Sequence, residues 1–248
     1  MAAMEAPAPR ASKASGRLSR ALTRLIMKPA RVTANEALAD RFRLITLEGS
    51  ALRDVAWTPG QKIQIAMGSA FVTRTYTPMT WNAVDGRTCI LGYAHGAGPG
   101  SDWLRAATPS SSCDIFGPRA SIDVGQPGAP LAIFGDETSL GLAYAFAHGG
   151  GGEAVTTVLE VDDIEASRSV AAQLNLKNCT LVGREAEDLH MPDLESALPA
   201  LADAGATFVF TGRAGSIQRL RRALKALEVP SRRIATRAYW APGKTGLD

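Results

Sequence analysis

Cysteine is scarce in this chain. Only Cys89, Cys113 and Cys179 occur, far apart, with no Cys-x-x-Cys spacing and no Cys/His cluster. A zinc or iron–sulfur centre built on these residues is therefore not expected. An odd, sparse count also does not staple a small secreted domain. No run of 18 apolar residues exists, which excludes a transmembrane helix. Aromatics are few, at 6%, and no basic–aromatic pattern accompanies the positive charge, so nucleic acid is not an expected partner. There is no internal repeat, and no Ser/His/Asp or Cys/His constellation for nucleophilic catalysis.

What is present is an ordinary globular composition over 248 residues, with 46% hydrophobic and 21% charged residues and 24 Gly and 14 Pro for turns. That length suits one large domain or two small ones. The net charge of +3 is unevenly placed. Residues 1–30 carry six Lys/Arg against one Glu, and residues 213–248 carry nine against two acids. The span between them holds twelve bases against 21 acids. Two basic ends converging on one surface would favour small anions or polyanions.

The texture changes twice along the chain. Residues 1–27 read as an Ala/Pro/Ser-rich disordered tail and a short basic amphipathic helix, with Leu18, Leu22, Leu25 and Ile26 on one face. Arginines interrupt the apolar run, so a secretory signal is not expected; an organelle transit peptide is the other reading of this segment. Residues 28–124 have the rhythm of an antiparallel barrel or sandwich: short alternating runs such as Lys62–Met67 and Phe71–Thr77, punctuated by Gly, Pro and Asp about every ten residues. After Gly125-Gln126-Pro127-Gly128, residues 129–248 alternate strand and helix four times, as in a parallel sheet covered on both faces. The expected fold class is thus a β-barrel followed by an α/β domain.

Such α/β units bind ligands where strands give way to helices. The first such turn is Gly135-Asp136-Glu137-Thr138, which lacks a GxGxxG fingerprint and places carboxylates where a phosphate would be unwelcome. Helix capping by Asp136 or Thr138 is an equally good account of it. In the barrel half, Arg74-Thr75-Tyr76-Thr77 sets an arginine and an aromatic on one strand face. They are about 7 Å apart at 3.3 Å per residue, a spacing that suits a phosphate beside a flat ring.

Four motifs then resemble one family. Arg74-Thr75-Tyr76-Thr77 is similar to the flavin signature of ferredoxin-reductase-like proteins. The stretch His95-Gly96-Ala97-Gly98-Pro99-Gly100-Ser101-Asp102-Trp103, the Gly135–Thr138 turn and the tail Tyr239-Trp240 followed by Gly243-Lys244 resemble those of the siderophore-interacting proteins, a family of ferric-siderophore reductases. The resemblance implies a barrel carrying FAD and an α/β domain receiving NADPH or NADH. On it, Arg74 grips the FAD phosphates, Tyr76 lies against the isoalloxazine, and Thr77 bonds near the ring's reactive nitrogen. The Gly98-Pro99-Gly100-Ser101 loop wraps the pyrophosphate with backbone N–H groups. Thr75, His95, Gly135, Asp136, Glu137, Thr138 and Trp240 join the cofactor-binding set by position. His95 also reads as a strand-end histidine bonded to backbone, and Trp103 as either a core residue or a stacking partner.

The implied reaction is NAD(P)H-driven, FAD-dependent reduction of a ferric siderophore to release Fe(II), with no catalytic side chain and no protein-bound metal. A reductase with another acceptor (protein, quinone or small molecule) and a non-catalytic flavin- or siderophore-binding protein are the alternatives. A cytoplasmic protein without stable membrane insertion is expected. Lys62, Arg237 and Lys244 are the candidate cations for an anionic ferric chelate. Departures from the family pattern fall in the nicotinamide half: Ser139-Leu140-Gly141-Leu142 after the turn, no tryptophan before Arg184, and Arg213 where an acid is usual. Arg184 is expected to pair with the 2′-phosphate of NADPH, so NADPH is expected to be preferred over NADH.

Overall fold

The computed structural model describes residues 27–69, 72–125, 128–149 and 154–244. The tail and helix expected over residues 1–27 lie outside them, Met27 excepted.

The first half is antiparallel. Seven strands, β1 (Lys28–Ala39), β2 (Phe42–Glu48), β3 (Lys62–Ser69), β4 (Val72–Tyr76), β5 (Pro78–Asn82), β6 (Arg87–Tyr93) and β7 (Ser112–Arg119), form one sheet in the order β4-β3-β7-β1-β2-β6-β5. The hydrogen-bonded ladder ends at β4 and β5. These two strands are consecutive in sequence and meet at Thr77. The inward residues Val32, Ile45, Ile63, Ile65 and Ile115 are all fully buried, the alternation a half-solvated antiparallel sheet requires. One helix, α1 (Pro99–Ala106), lies between β6 and β7.

The second half is parallel. Strands β8 (Leu131–Asp136), β9 (Val155–Val161), β10 (Cys179–Gly183), β11 (Thr207–Arg213) and β12 (Ile234–Trp240) are ordered β10-β9-β8-β11-β12. Helices α2 (Leu140–Gly149), α3 (Ile164–Gln173), α4 (Met191–Ser196), α5 (Leu198–Asp203) and α6 (Ala214–Ala226) cover it. Every residue of β8 is buried, as expected of a central strand covered on both faces. The chain reverses direction across the sheet between β8 and β11, the switch point at which such folds open a crevice.

Two expectations need correction here. The third of the four expected strand–helix alternations carries two short helices, broken at Ala197, rather than one. The aromatic tail is a fifth parallel strand, β12, which pairs with β11 from Phe208↔Ile234 to Arg213↔Trp240.

The two halves share a core. Phe42, Met79 and Leu91 from the antiparallel sheet pack with Leu140, Leu159 and Val161 from the α/β half. The cleft described next therefore has walls fixed by common packing. No helix among the described residues is long and apolar enough to cross a membrane.

Candidate functional site

A cleft of about 340 Å3 opens between the halves. Its first wall is β4 and the α1 entry: Arg74, Thr75, Tyr76 and Thr77 line it together with Gly98, Pro99, Gly100 and Ser101. Its second wall is the end of β12, with Arg237, Tyr239, Trp240 and Lys244. Sequence reasoning did not single out Tyr93 or Leu91, which also line it, as does Gly141, noted only as a departure from the family pattern. Tyr93 gave one legible signal, an aromatic at a strand end two residues before His95.

Local structure explains the first wall. Gly98 sits at φ 147° and Pro99 begins α1, a backbone that only glycine adopts readily followed by the residue pre-set for a first helical turn. No side chain caps this helix, so its first N–H groups face the cleft without an internal acceptor. Other bonds hold the entry in place. The Ser101 hydroxyl donates to His95 O at 2.8 Å, and Arg105 donates to Ala94 O and Gly96 O at 3.0 and 3.2 Å. At the other end Asn35 donates to Leu104 O and Ala107 O. Arg74 donates only to Thr73 O, at 2.7 Å, and has no carboxylate partner among the described residues. A Cβ on Gly100 would press on Arg74 Cγ at 3.1 Å, so backbone and guanidinium lie close enough to act on one group.

Tyr76 packs at 6.0 Å from Trp103, which is itself half-buried against the barrel core. Trp103 thus serves as core and as aromatic neighbour at once. His95 is exposed, with its ring 6.1 Å from Tyr93 and 6.2 Å from Trp240. The half-buried Tyr239 pairs through its hydroxyl with Thr77 and Thr211, and desolvation pushes its pKa up to about 12.

The lining carries Arg74, Arg237 and Lys244 and no Asp or Glu among the described residues. An unpaired guanidinium, an uncapped helix N-terminus and a carboxylate-free lining suit a pyrophosphate, and the aromatic neighbours suit a flat ring. The residues therefore fit FAD.

Several expected residues do not line this cleft. Of the Gly135–Thr138 turn, Thr138 alone does. Gly135 has no room for a Cβ beside Ser139. Asp136 is fully buried, accepting from Thr138 N at 2.9 Å, from the Thr138 hydroxyl and from Trp240 Nε1 at 2.7 Å. Burial drives its pKa up to about 6, against the pull of these donors. Glu137 accepts from Asp162 N at 2.6 Å and from Arg184 at 3.0 Å. Lys62 is 9% exposed, paired in register with Arg119 on β3 and β7. Expected as a docking cation for the chelate, it does not line the cleft and is nearly buried.

The largest correction concerns Arg184. Its guanidinium binds Glu137 and Asp162, donates to Glu160 O at 3.2 Å and lies 3.6 Å from Glu160 Oε2, with only 15% of the side chain exposed. It is not a free receptor for phosphate. Arg213 likewise meets Glu160 at 3.1 Å and Asp188 at 2.6 Å. Burial works against ionised Glu160, yet bonds from Arg213, Ser216 and His190 outweigh it and hold its pKa below the usual carboxylate value. These groups stand at the carboxyl ends of β8 to β11.

The comparisons agree with the two-part fold. Residues 16–122 match the family model described as siderophore-interacting FAD-binding domain, and residues 129–243 match that described as siderophore-interacting protein. No curated protein matches. Among solved structures, the siderophore-interacting protein of Acinetobacter baumannii is similar at 15% identity and a TM-score of 0.71, over 89% of this chain and 93% of that one. That of Aeromonas hydrophila is similar at 23% identity and 0.69, over 88% and 94%. The ferredoxin reductase of carbazole 1,9a-dioxygenase is similar at 18% identity and 0.71, over 86% and 69%. At these identities the likeness shows the fold.

Proposed function

Since the chain belongs to the siderophore-interacting protein family and carries its FAD-binding domain, we propose that it is a flavin-dependent reductase that draws electrons from a nicotinamide nucleotide and delivers them to a ferric siderophore. The observation that carries this reading is Arg74, without a carboxylate partner, beside the uncapped α1 entry in a cleft lined by cations and aromatics.

FAD, when bound, supplies the redox chemistry: it accepts a hydride, two electrons and a proton, and yields the electrons singly. The chain's own residues bind and orient. Arg74 and the N–H groups of Gly100 and Ser101 would hold the pyrophosphate, and Tyr76 and Thr77 would border the flavin ring, with Tyr239 hydrogen-bonded to Thr77. Trp240 and His95 border the far side of the cleft. Arg237 and Lys244 attract an anionic chelate to that border. Each hydride reduces two Fe(III) chelates to Fe(II), and the weaker grip of siderophore oxygens on Fe(II) makes reduction equivalent to release.

Steady-state assays with a ferric hydroxamate, a ferric catecholate, a quinone and an electron-transfer protein test the acceptor. Ferric chelates are expected to give the highest kcat/KM. A quinone or protein acceptor surpassing both chelates would move the protein to another class of reductase.

A further inference from the structure

The edge of the sheet that would face a dinucleotide holds more negative than positive groups, and its one well-placed cation is already paired. We propose that this edge selects NADH and turns away NADPH, with Asp162 as the residue that reads the adenosine ribose and Glu137 and Arg184 as the brace that holds it. The inference rests on a nicotinamide nucleotide being the donor, as proposed above.

In doubly wound sheets the strand following the first βα unit ends beside the adenosine ribose. A carboxylate there bonds the 2′-hydroxyl, whereas a free arginine accommodates a 2′-phosphate. Here β9 follows β8 and lies next to it, in register from Leu131↔Val155 to Asp136↔Glu160. Asp162 comes directly after β9 and is 47% exposed, so it can meet a ligand. Arg184, at the end of neighbouring β10, is the cation a 2′-phosphate would need. Glu137, Glu160 and Asp162 surround it instead. Two further contacts orient it: its own backbone N–H donates to Val161 O at 2.8 Å, and the guanidinium lies 5.9 Å over the Trp240 ring; Glu137 in turn accepts from Asp162 N.

Arg213 does not alter the balance, because Glu160 and Asp188 take its charge. Two guanidiniums thus face four carboxylates. Arg41 approaches Asp162 from the other half, but at 4.0 Å and 51% exposed, a separation and exposure at which solvent removes most of the interaction. A 2′-phosphate entering here meets carboxylates at short range, and the two arginines at the strand ends, Arg184 and Arg213, are already paired. A ribose 2′-hydroxyl finds in Asp162 an acceptor, at no charge penalty.

The test is calorimetric titration of the full chain, loaded with FAD and free of it, with ADP-ribose and with 2′-phospho-ADP-ribose. The parent is expected to bind ADP-ribose at least tenfold more tightly. Asp162→Asn, at a half-exposed position, is expected to weaken ADP-ribose and strengthen the 2′-phosphorylated ligand, narrowing the ratio at least fivefold. Arg184→Gln, with its folding checked by circular dichroism, is expected not to weaken the phosphorylated ligand selectively. Equal affinities in the parent, tighter binding of the phosphorylated ligand, an unchanged ratio in Asp162→Asn, or no binding of either ligand each overturns the inference. FAD retention is read in the same samples. A chain that takes FAD and neither nucleotide loses this inference and the proposed nicotinamide donor, and keeps its flavin. One that discriminates between the ligands but takes no FAD loses the proposed function alone.

Discussion

The indole Nε1–H of Trp240 donates to Asp136 Oδ2 at 2.7 Å, tying the end of β12 to the end of β8 across the switch point of the sheet. Gly212 of the intervening strand, at φ +87°, leaves no room for a Cβ beside that carboxylate. The aromatic that borders the cleft is therefore held by a buried acid, and the acid by a glycine.

That acid gives the fold a pH dependence. Asp136 has a folded pKa of about 6, raised from 3.8 by burial, so the folded state holds its proton more tightly than the unfolded chain. The stabilising effect of that proton is complete below the unfolded value and is lost as pH rises through about 6. A shift of this size corresponds to roughly 3 kcal/mol. Glu160 and Asp188 act oppositely, their lowered values costing stability only as pH falls below their usual range. Parent Tm is expected to fall between pH 4 and pH 7 relative to Asp136→Asn, by about 5–10 °C. Parallel Tm curves for the two proteins would show that Asp136 does not titrate in this window.

Removing Arg74 tests the phosphate cradle. A charge-assisted contact is worth roughly 1.5–3 kcal/mol, so Arg74→Ala is expected to weaken FAD binding about tenfold to a hundredfold. Fluorescence quenching of FAD measures it. Wild-type affinity in the variant would remove Arg74 from the cradle.

Lys244 tests the docking border. It lines the cleft, is exposed and has no carboxylate partner among the described residues. Lys244→Ala is expected to raise KM for an anionic ferric chelate about threefold to tenfold at low salt, with flavin reduction by the nicotinamide nucleotide unchanged. The difference is expected to vanish toward 1 M salt, where the Debye length is about 3 Å. An unaltered KM at low salt would place the chelate elsewhere.

Most of the architecture was legible because period is a local property. The alternation of Lys62–Met67 and the buried run Leu131–Phe134 each state their strand type within a few residues. β12 was not legible as a strand, because Ile234–Trp240 reads as an aromatic-basic tail until its partner β11 is in place. In the site, Arg74-x-Tyr76-Thr77 and Gly98–Ser101 declared themselves as motifs, and the fold brings them onto one wall. Arg184 misled for the opposite reason. Its three carboxylates arrive from the ends of β8 and β9, 22 to 47 residues earlier in the chain, and a single sequence does not reveal such pairings. Lys62 was misplaced similarly: alternation assigns a face of β3 but not how far that face is covered or whether it meets the cleft.

The central claim is tested most directly by the visible spectrum of the purified full chain after incubation with FAD and gel filtration, followed anaerobically. The account predicts a flavin spectrum that co-elutes with the protein, bleaches on adding NADH, and returns on adding a ferric siderophore as Fe(II) appears at two per flavin. A protein that elutes without flavin absorbance, or whose bleached flavin is not reoxidised by any ferric chelate, would contradict it.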